Sequence, residues 1–252
     1  MAKIDLQHVS VSFPVYNISA RSFKKQFLRM ATGGTIAEDA KNQIVINALK
    51  DITLSLKDGD RVGLIGHNGS GKSTLLRLLS QIYEPTTGVI NITGKISPLL
   101  NLTHGIEMEL TGMDNAILRG TILGLTREQM VDKATEIASF SGLGDYFHMP
   151  IRTYSSGMMM RLAFAISTCI KPDILLIDEV FGTGDADFRE KAQARMSSLL
   201  EQSSIVVIAN HSDGLVKQIC NKGLLLEGGR VKAFGPIDEV IEIYHQKGTQ
   251  KG

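Results

Sequence analysis

The sequence lacks several features that would place it in a specialised class of protein. It has no tryptophan and only two cysteines, Cys169 and Cys220, among 252 residues. Two cysteines so far apart form neither a metal-binding cluster nor a disulfide framework, so we expect inert thiols in a reducing compartment. No run of eighteen or more apolar residues is present, and a membrane-spanning helix is therefore not predicted.

The chain also lacks an excess of charge of either sign. Its formal net charge is +1, whereas proteins that wrap DNA or RNA usually carry a strong basic excess, so nucleic acid is not predicted as a partner. The first ten residues show no charged and then apolar signal pattern, which predicts a cytoplasmic protein. Hydrophobic residues make up 43% and charged residues 21%, as in an ordinary folded domain.

What the sequence does contain is an alternation of strand-like and helical runs. The patterns predict strands at 3–13, 51–56, 61–65, 174–177 and 205–209, helices at 73–83, 126–140, 158–170, 186–201 and 237–246, and a terminal hairpin at 222–233. Apolar strands separated by helices predict a mainly parallel sheet covered on both faces. A mostly helical insert at 105–150 interrupts it, and within the insert Thr126 and Gln129 predict a capping box at the start of the helix 126–140. We therefore expect a sheet core and a helical arm.

A glycine-rich loop follows the strand RVGLI and opens the next helix. The stretch Gly66-His67-Asn68-Gly69-Ser70-Gly71-Lys72-Ser73 matches the phosphate-loop pattern GxxxxGK[ST], and Thr74 is counted with it as a candidate ATP-binding residue. Backbone N–H groups and the helix N-terminus bind phosphate in such loops. Lys72 is predicted to reach the β- and γ-phosphates and Ser73 to bind Mg²⁺. The alternative is a plain glycine turn, which the strand–loop–helix context disfavours.

Two acidic residues follow the buried run ILLI. Asp178 and Glu179 stand at the carboxyl end of this strand, where ligands bind in open α/β sheets. Asp178 is predicted to hold Mg²⁺, and Glu179 to accept a proton from the attacking water. The alternative, a solvated acidic strand end, is common for one acid and less so for two that follow a phosphate loop.

His211 ends the next strand-like run, in IVVIANHSD. A lone histidine at a strand end is more often structural or exposed than catalytic. Its place after Asp178 and Glu179 favours the functional interpretation, in which it senses the γ-phosphate and orients the water.

The stretch Tyr154-Ser155-Ser156-Gly157-Met158 resembles the signature loop of ABC ATPases, usually LSGGQ. Nearly the whole chain takes part in the resemblance, because the motifs follow the family's order. Ser155 and Gly157 match, whereas Ser156 replaces a glycine and Met158 replaces the glutamine. The resemblance implies that Ser155 and the N–H of Gly157 bind the γ-phosphate held by an opposite subunit.

The same resemblance implies a fold, cofactors and further site residues. It implies one nucleotide-binding domain over 1–252 of the α/β phosphate-loop type, with a mainly parallel sheet core, an antiparallel β subdomain, a helical subdomain at 105–165 and a C-terminal helix and tail at 235–252. Two chains would pair head to tail as a homodimer around two ATP molecules with Mg²⁺. Asp185 would lie in the loop that crosses this interface. Asn101 stands where the family has a metal-contacting glutamine, and Phe13 or its neighbour Tyr16 would stack on adenine.

Within the family, the chain looks most like the ATP-binding subunit of polysaccharide exporters, the O-antigen (Wzt-like) and teichoic acid group. The enlarged segment 16–46, the run LLNLTHGIEMELTGMDNAILRG and the YSSGM signature carry this likeness. It implies a pair of Wzm-like membrane channel subunits, a lipid-linked polysaccharide cargo and a place at the cytoplasmic face of the inner membrane. Because the chain stops at Gly252, we expect the short form, without an attached carbohydrate-binding domain.

Segment 16–46 contains the basic amphipathic stretch ARSFKKQFLRM. Such a stretch suits a membrane surface or an anionic pyrophosphate head group. An ordinary surface helix with a solvated basic face is the alternative, and the exporter resemblance favours the membrane-facing role.

Three rival functions stay open. They are the transport of another solute, a soluble ABC ATPase that acts on ribosomes or DNA, and a nucleotide sensor without turnover. The single cassette and the balanced charge count against the second. The presence of both Glu179 and His211 counts against the third.

Overall fold

A computed structural model describes residues 1–15, 35–38, 44–178 and 186–249. In chain order its strands are β1 (Lys3–Val15), β2 (Thr35–Glu38), β3 (Ile44–Lys57), β4 (Arg61–Ile65), β5 (Thr87–Thr93), β6 (Ile96–Leu99), β7 (Ile174–Asp178), β8 (Ile205–Ala209), β9 (Lys222–Glu227) and β10 (Arg230–Pro236). The α-helices are α1 (Lys72–Leu79), α2 (Gly112–Ile122), α3 (Arg127–Ser141), α4 (Ser156–Ser167), α5 (Ala186–Gln202), α6 (Asp213–Ile219) and α7 (Ile237–Thr249).

The chain divides into two compact units. The first comprises Met1–Gly94 and Ser204–Gly252, and the second comprises Lys95–Ser203. The range 105–165, predicted as a helical subdomain, lies within the second unit. Among the helices of the described ranges, none combines the length and the apolar character needed to cross a bilayer.

An antiparallel sheet in the first unit has the strand order β2-β3-β1-β5. Ile4 of β1 pairs with Leu56 of β3, and Leu6 pairs with Leu54. All four side chains are buried, because alternate residues of a strand face the same side of the sheet.

The strand boundaries at this sheet differ from those predicted. Strand β3 begins at Ile44, before the predicted start at position 51, and β2 occupies 35–38. The end of segment 16–46 is therefore part of the sheet, because Val45 and Ile46 pair with Pro14 and Phe13 of β1. The sequence reading missed this pairing because it depends on a distant strand rather than on local alternation. The stretch ARSFKKQFLRM lies outside the described residues.

The first unit also holds parallel strands. Strand β4 pairs in parallel with β8 on one side and with β9 on the other, and β10 pairs antiparallel with β9. All five residues of β8 are buried, as expected of a strand covered on both faces. The predicted hairpin is confirmed, with its turn at Gly228-Gly229 between β9 and β10.

The second unit joins a parallel strand pair to a cluster of helices. Strand β6 pairs in parallel with β7, as the α/β prediction requires. A hydrophobic core joins helices α2, α3 and α4, with Ala116, Met130, Ile137, Leu162 and Ile166 among its buried members. The predicted fold class, a mainly parallel sheet with antiparallel and helical parts, is confirmed by these elements.

The capping box predicted for α3 is confirmed. The N–H of Gln129 donates to the Thr126 hydroxyl at 3.2 Å, and the N–H of Thr126 donates to the Gln129 side-chain oxygen at 2.9 Å. These two bonds satisfy N–H groups that the first turn of a helix leaves unpaired.

Three predicted helices differ by more than one residue from their bounds in the structure, among them α7, which runs to Thr249 rather than to 246. Helix α1 ends at Leu79 rather than at Tyr83, because Gln81 takes the left-handed conformation with φ of 60°. Helix α4 occupies Ser156–Ser167 rather than 158–170, because Ser155 caps its start.

Both cysteines are buried, as inert thiols should be. Burial raises the pKa of Cys220 to about 12 and also raises the pKa of Cys169. Because the thiolate is the reactive form, burial disfavours reaction at either position.

Candidate functional site

The phosphate loop joins the carboxyl end of β4 to α1 in the first unit. Gly66, Gly69 and Gly71 have φ values of 145°, 78° and 113°, a region in which glycine alone is unstrained. The Lys72 ammonium donates to the carbonyl oxygen of Gly66 at 2.6 Å and to that of His67 at 3.2 Å. The backbone therefore curls round the lysine head group, as the motif predicts.

The first turn of α1 is suited to an anion. Its N-cap residue, Gly71, supplies no side-chain hydrogen bond to the N–H groups of that turn. The earliest backbone bond of the helix joins the N–H of Leu75 to the Gly71 carbonyl oxygen, at 2.8 Å. Helix N-termini of this kind bind phosphate through their N–H groups and the helix dipole. Ser73 and Thr74, both half-buried, lie in this turn.

The remaining loop residues differ in exposure. His67, Asn68 and Gly69 are exposed, whereas Ser70 is fully buried. The Ser70 hydroxyl has no hydrogen-bond partner among the described residues. It lies 2.7 Å from the position that a Cβ on Gly66 would occupy. Ser70 therefore packs on the inner side of the loop, close to Gly66.

His211 and the phosphate loop leave the same edge of the sheet. Strands β4 and β8 are parallel neighbours, and Leu64 pairs with Ala209. The loop begins at Gly66, two residues after Leu64, and His211 lies two residues after Ala209. Because the carboxyl ends of parallel strands share one edge, the fold brings this exposed histidine to the side on which the loop opens.

A pair of aromatic rings involves one candidate for adenine stacking. Phe13, at the end of β1, is half-buried and contacts Tyr83 edge to face, with ring centroids 5.2 Å apart. The Arg77 guanidinium lies 5.9 Å from the centre of the Tyr83 ring. The sequence reading missed Tyr83, although an aromatic residue after the phosphate-loop helix is a usable signal. Tyr16, the other candidate, lies outside the described residues.

In the second unit, two oxygen-bearing side chains also share one strand edge. Leu99 of β6 pairs with Ile177 of β7. Asp178 follows Ile177 directly, and Asn101 lies two residues beyond Leu99. Asn101 is exposed and takes a left-handed conformation with φ of 45°, which asparagine tolerates better than most residues.

The oxygen donors predicted for Mg²⁺ fit that ion chemically. The carboxylate of Asp178, the amide of Asn101 and the hydroxyl of Ser73 are hard ligands of the kind that Mg²⁺ binds. Asp178 and Asn101 belong to the second unit and Ser73 to the first.

The signature loop is the start of α4. The Ser155 hydroxyl accepts a hydrogen bond from the N–H of Met158 at 3.2 Å and so caps the helix. Ser155, Ser156 and Gly157 are exposed. A Cβ added at Gly157 would meet only the Ser155 hydroxyl oxygen, at 3.8 Å. The loop therefore presents an open helix N-terminus to solvent.

Tyr154 anchors the chain just before this loop. Its hydroxyl donates to the Tyr146 carbonyl oxygen at 2.6 Å. Burial raises the pKa of Tyr154 to about 12, so the phenol keeps its proton and can donate well above neutral pH. The two tyrosine rings are also in edge-to-face contact.

Asn115, a second anchor in this unit, was missed by the sequence reading. This side chain is fully buried on α2 and donates to the carbonyl oxygens of Glu107 and Thr111, at 2.9 and 3.0 Å. It also accepts from the N–H of Glu107 at 2.8 Å. These bonds fix the segment before α2, and a buried asparagine in an apolar helix gives no local sign of that task.

Three predicted site residues, Tyr16, Glu179 and Asp185, lie outside the described residues. The geometry therefore bears on the phosphate loop, Asp178, Asn101, His211, Phe13 and the signature loop. It leaves the proposed general base and the interface loop as predictions from sequence.

Comparison with known proteins adds a family and close relatives. The sequence model of a family described as ABC transporter matches residues 49–182. The O-antigen export system ATP-binding protein RfbE of Yersinia enterocolitica is 43% identical over 231 residues, which cover 92% of this chain and 97% of that protein. The corresponding protein RfbB of Myxococcus xanthus is 41% identical over 98% of this chain, which spans 56% of that longer relative.

The fold is shared with a solved ATP-binding cassette. A dimeric structure of the cassette MJ0796, in a post-hydrolysis state bound to ADP and phosphate, matches with a TM-score of 0.65. The match covers 93% of this chain and 98% of that one at 21% sequence identity. At that identity the likeness shows the fold.

Proposed function

The chain belongs to the ABC transporter family, and on that premise we propose that it is the ATP-hydrolysing subunit of an exporter of lipid-linked, O-antigen-type polysaccharide. The proposed cargo rests on the 43% identity to an O-antigen export ATP-binding protein, in a match that covers 97% of that protein. The phosphate loop around Lys72 supports the ATP chemistry.

Nucleotide binding rests on residues of the first unit. Lys72 and the N–H groups at the start of α1 hold the β- and γ-phosphates, and the Phe13 ring stacks on adenine. Ser73, Asp178 and Asn101 are the residues that would hold Mg²⁺, and the ion would supply positive charge against the phosphates. The Asn101 side chain is shorter than the family's glutamine, so its contact to the metal is expected to be the weakest of the three.

Hydrolysis needs a group that takes a proton from the attacking water. Glu179 follows the metal-binding Asp178 and serves as this base. His211 leaves the same sheet edge as the phosphate loop and orients the water against the γ-phosphate. The charge that develops there is stabilised by Lys72 and by Ser155 of a second chain.

The site is completed by pairing of two chains, head to tail. This part of the proposal is supported by the open helix N-terminus behind Ser155, whose exposed residues are available to an anion held elsewhere. Asp185 lies in the interface loop of this pair.

A mixed pair of inactive variants tests this arrangement. Lys72→Ala and Ser155→Arg are each expected to inactivate both sites of a homodimer. A pair made of one chain of each kind combines an intact Lys72 with an intact Ser155 at one of its two sites. Two different affinity tags allow that pair to be isolated, and we expect it to hydrolyse ATP. Mixed pairs as inactive as the two variants alone would contradict the head-to-tail site.

The channel is formed by a pair of separate membrane subunits of the Wzm-like kind, and the ATPase works at the cytoplasmic face of the inner membrane. The second unit exposes large apolar side chains that such a partner would cover. They are Met108, Leu110, Leu118, Ile122, Val131, Tyr146 and Met149. Segment 16–46, with its basic stretch, is proposed to lie next to the membrane.

Isolation of the native complex tests the cargo and the partner together. The tagged chain is recovered from membranes in mild detergent, and the proteins and lipids that accompany it are identified by mass spectrometry. We expect a multispanning membrane subunit and a lipid-linked glycan. A membrane subunit with a different solute would support the rival transporter, and recovery of ribosomes or DNA would overturn the proposal.

A further inference from the structure

The turn of the terminal hairpin is bonded to the phosphate loop. The N–H of Gly229 donates to the carbonyl oxygen of Ser70 at 3.0 Å. The carbonyl oxygen of Gly229 accepts from the N–H of Lys50, in β3, at 2.8 Å. One residue thus ties the loop to the sheet through both of its backbone polar groups.

Three backbone segments meet at this point without room for a side chain. A Cβ on Gly229 would lie 2.5 Å from the carbonyl oxygen of Ala48, and one on Gly71 would lie 3.1 Å from the same atom. The Gly71 Cβ would also be 3.6 Å from Cα of Gly229. Contacts under 3.0 Å to backbone require the backbone to move, so only glycine permits this approach.

The same hairpin also touches the first residue of the phosphate loop. A Cβ on Gly66 would lie 2.4 Å from the carbonyl oxygen of Leu226, the penultimate residue of β9. The end of β9 therefore packs against Gly66, and the turn after it packs against Ser70 and Gly71. The hairpin supports the loop at both ends.

Hairpin geometry alone does not account for glycine at position 229. Gly228 and Gly229 have φ of 55° and 79°, and asparagine is accepted in turns with positive φ. The approach to Ala48 excludes any side chain, whatever its conformational preference. Glycine is therefore required at position 229 by the neighbouring phosphate loop and β3, not by the turn itself.

We propose that the β9–β10 turn is a positioning element of the nucleotide site, with Gly229 as its central residue. It holds the Ser70–Gly71 backbone in place, so that Lys72 and the start of α1 meet the phosphates without rearrangement. A preformed site binds more tightly because it does not lose ordering entropy on binding. The inference rests on the proposed ATPase function. It adds to the nucleotide site a residue, Gly229, that lies far along the chain from the phosphate loop.

Gly229→Ala and Gly59→Ala form a matched pair for the test. Gly59 lies in another turn of the first unit with φ of 87°, and a Cβ there would meet nothing within 4 Å. Both substitutions place alanine in a left-handed conformation, so both are expected to lower the melting temperature. Only Gly229→Ala displaces the loop, since only there does the new methyl meet backbone.

The readout is nucleotide affinity, measured for ATP and for ADP with the folded variants. A site that must rearrange before it binds loses affinity, so we expect Gly229→Ala to weaken the affinities for ATP and for ADP by about ten- to a hundredfold. Gly59→Ala should bind like the wild type. Equal affinities in the two variants would overturn the proposal, because backbone strain alone would then account for both.

Amide exchange in the wild-type protein gives a second test that needs no variant. If the turn positions the loop, bound ADP must in return stabilise the turn, because coupling between two sites is reciprocal. We expect the Gly229 N–H to exchange more slowly with ADP present, while the Gly59 N–H, bonded to the Ser204 carbonyl, does not change. A Gly229 amide that exchanges at the same rate with and without ADP would contradict the inference.

A parallel measurement on Lys72→Ala separates the two claims. Suppose that Lys72→Ala loses nucleotide binding while Gly229→Ala and Gly59→Ala have equal nucleotide affinities. That result would contradict the positioning role of Gly229 but not the ATPase function. Normal binding in Lys72→Ala would instead remove the function on which the inference rests.

Discussion

Replacement of Lys72 by alanine is expected to lower the rate of ATP hydrolysis by roughly a hundred- to a thousandfold, the usual effect of removing one preorganised charge from a reacting centre. The ammonium lies at the mouth of the phosphate loop, against the carbonyl oxygens of Gly66 and His67. Without it, the negative charge that spreads over the γ-phosphate in the transition state loses a positive partner.

Lys217→Ala is the control for this experiment. It also removes one lysine from the first unit, but that lysine forms an exposed ion pair with Asp238, and such pairs contribute little. Steady-state phosphate release should fall in the Lys72 variant alone. An unchanged rate in Lys72→Ala would sink the phosphate-loop assignment.

The second large effect is expected from Glu179→Gln. The amide keeps the size and hydrogen-bonding reach of the carboxylate but cannot take a proton, and a general base contributes about a hundred- to ten-thousandfold to rate. Binding of ATP should survive, because its phosphates are held by the loop and the metal. The variant should therefore accumulate as a closed pair of chains with ATP trapped between them.

Size-exclusion chromatography with and without ATP measures this trapped pair. Glu201→Gln, an exposed change on α5, is the matched control and should turn over like the wild type without forming a stable pair. Hydrolysis at the normal rate by Glu179→Gln would show that another residue is the general base. Slow hydrolysis by Glu179→Gln without an ATP-dependent pair of chains would contradict the head-to-tail arrangement.

Local patterns in the sequence predicted the parts of this molecule that local chemistry determines. The phosphate loop, the capping box at Thr126 and the hairpin turn each depend on residues within a few positions of one another. The structure places all three where their spacing predicts.

The signature loop shows why its departures from the family pattern are tolerated locally. The Ser155 cap uses the backbone N–H of residue 158, a group that methionine supplies as well as glutamine does. The side chain at that position is not needed to start α4.

The features that sequence reading missed depend on contacts between distant parts of the chain. Gly229 reads as a hairpin glycine, and its bond to Ser70 and approach to Ala48 appear only in the folded molecule. The contact between Phe13 and Tyr83 likewise joins a strand end to the residues after α1. Neither set of contacts produces a periodic sequence pattern from which it could be predicted.

Export itself is tested most directly by the amount of polysaccharide at the cell surface. The gene for this chain is deleted from the cell that produces it. The wild type or Lys72→Ala is then expressed in that cell at equal protein levels. The wild type is expected to restore surface polysaccharide, whereas Lys72→Ala is expected to leave lipid-linked polymer on the cytoplasmic side of the inner membrane. Surface polysaccharide that persists without the chain, or that Lys72→Ala restores in full, would contradict the proposed function.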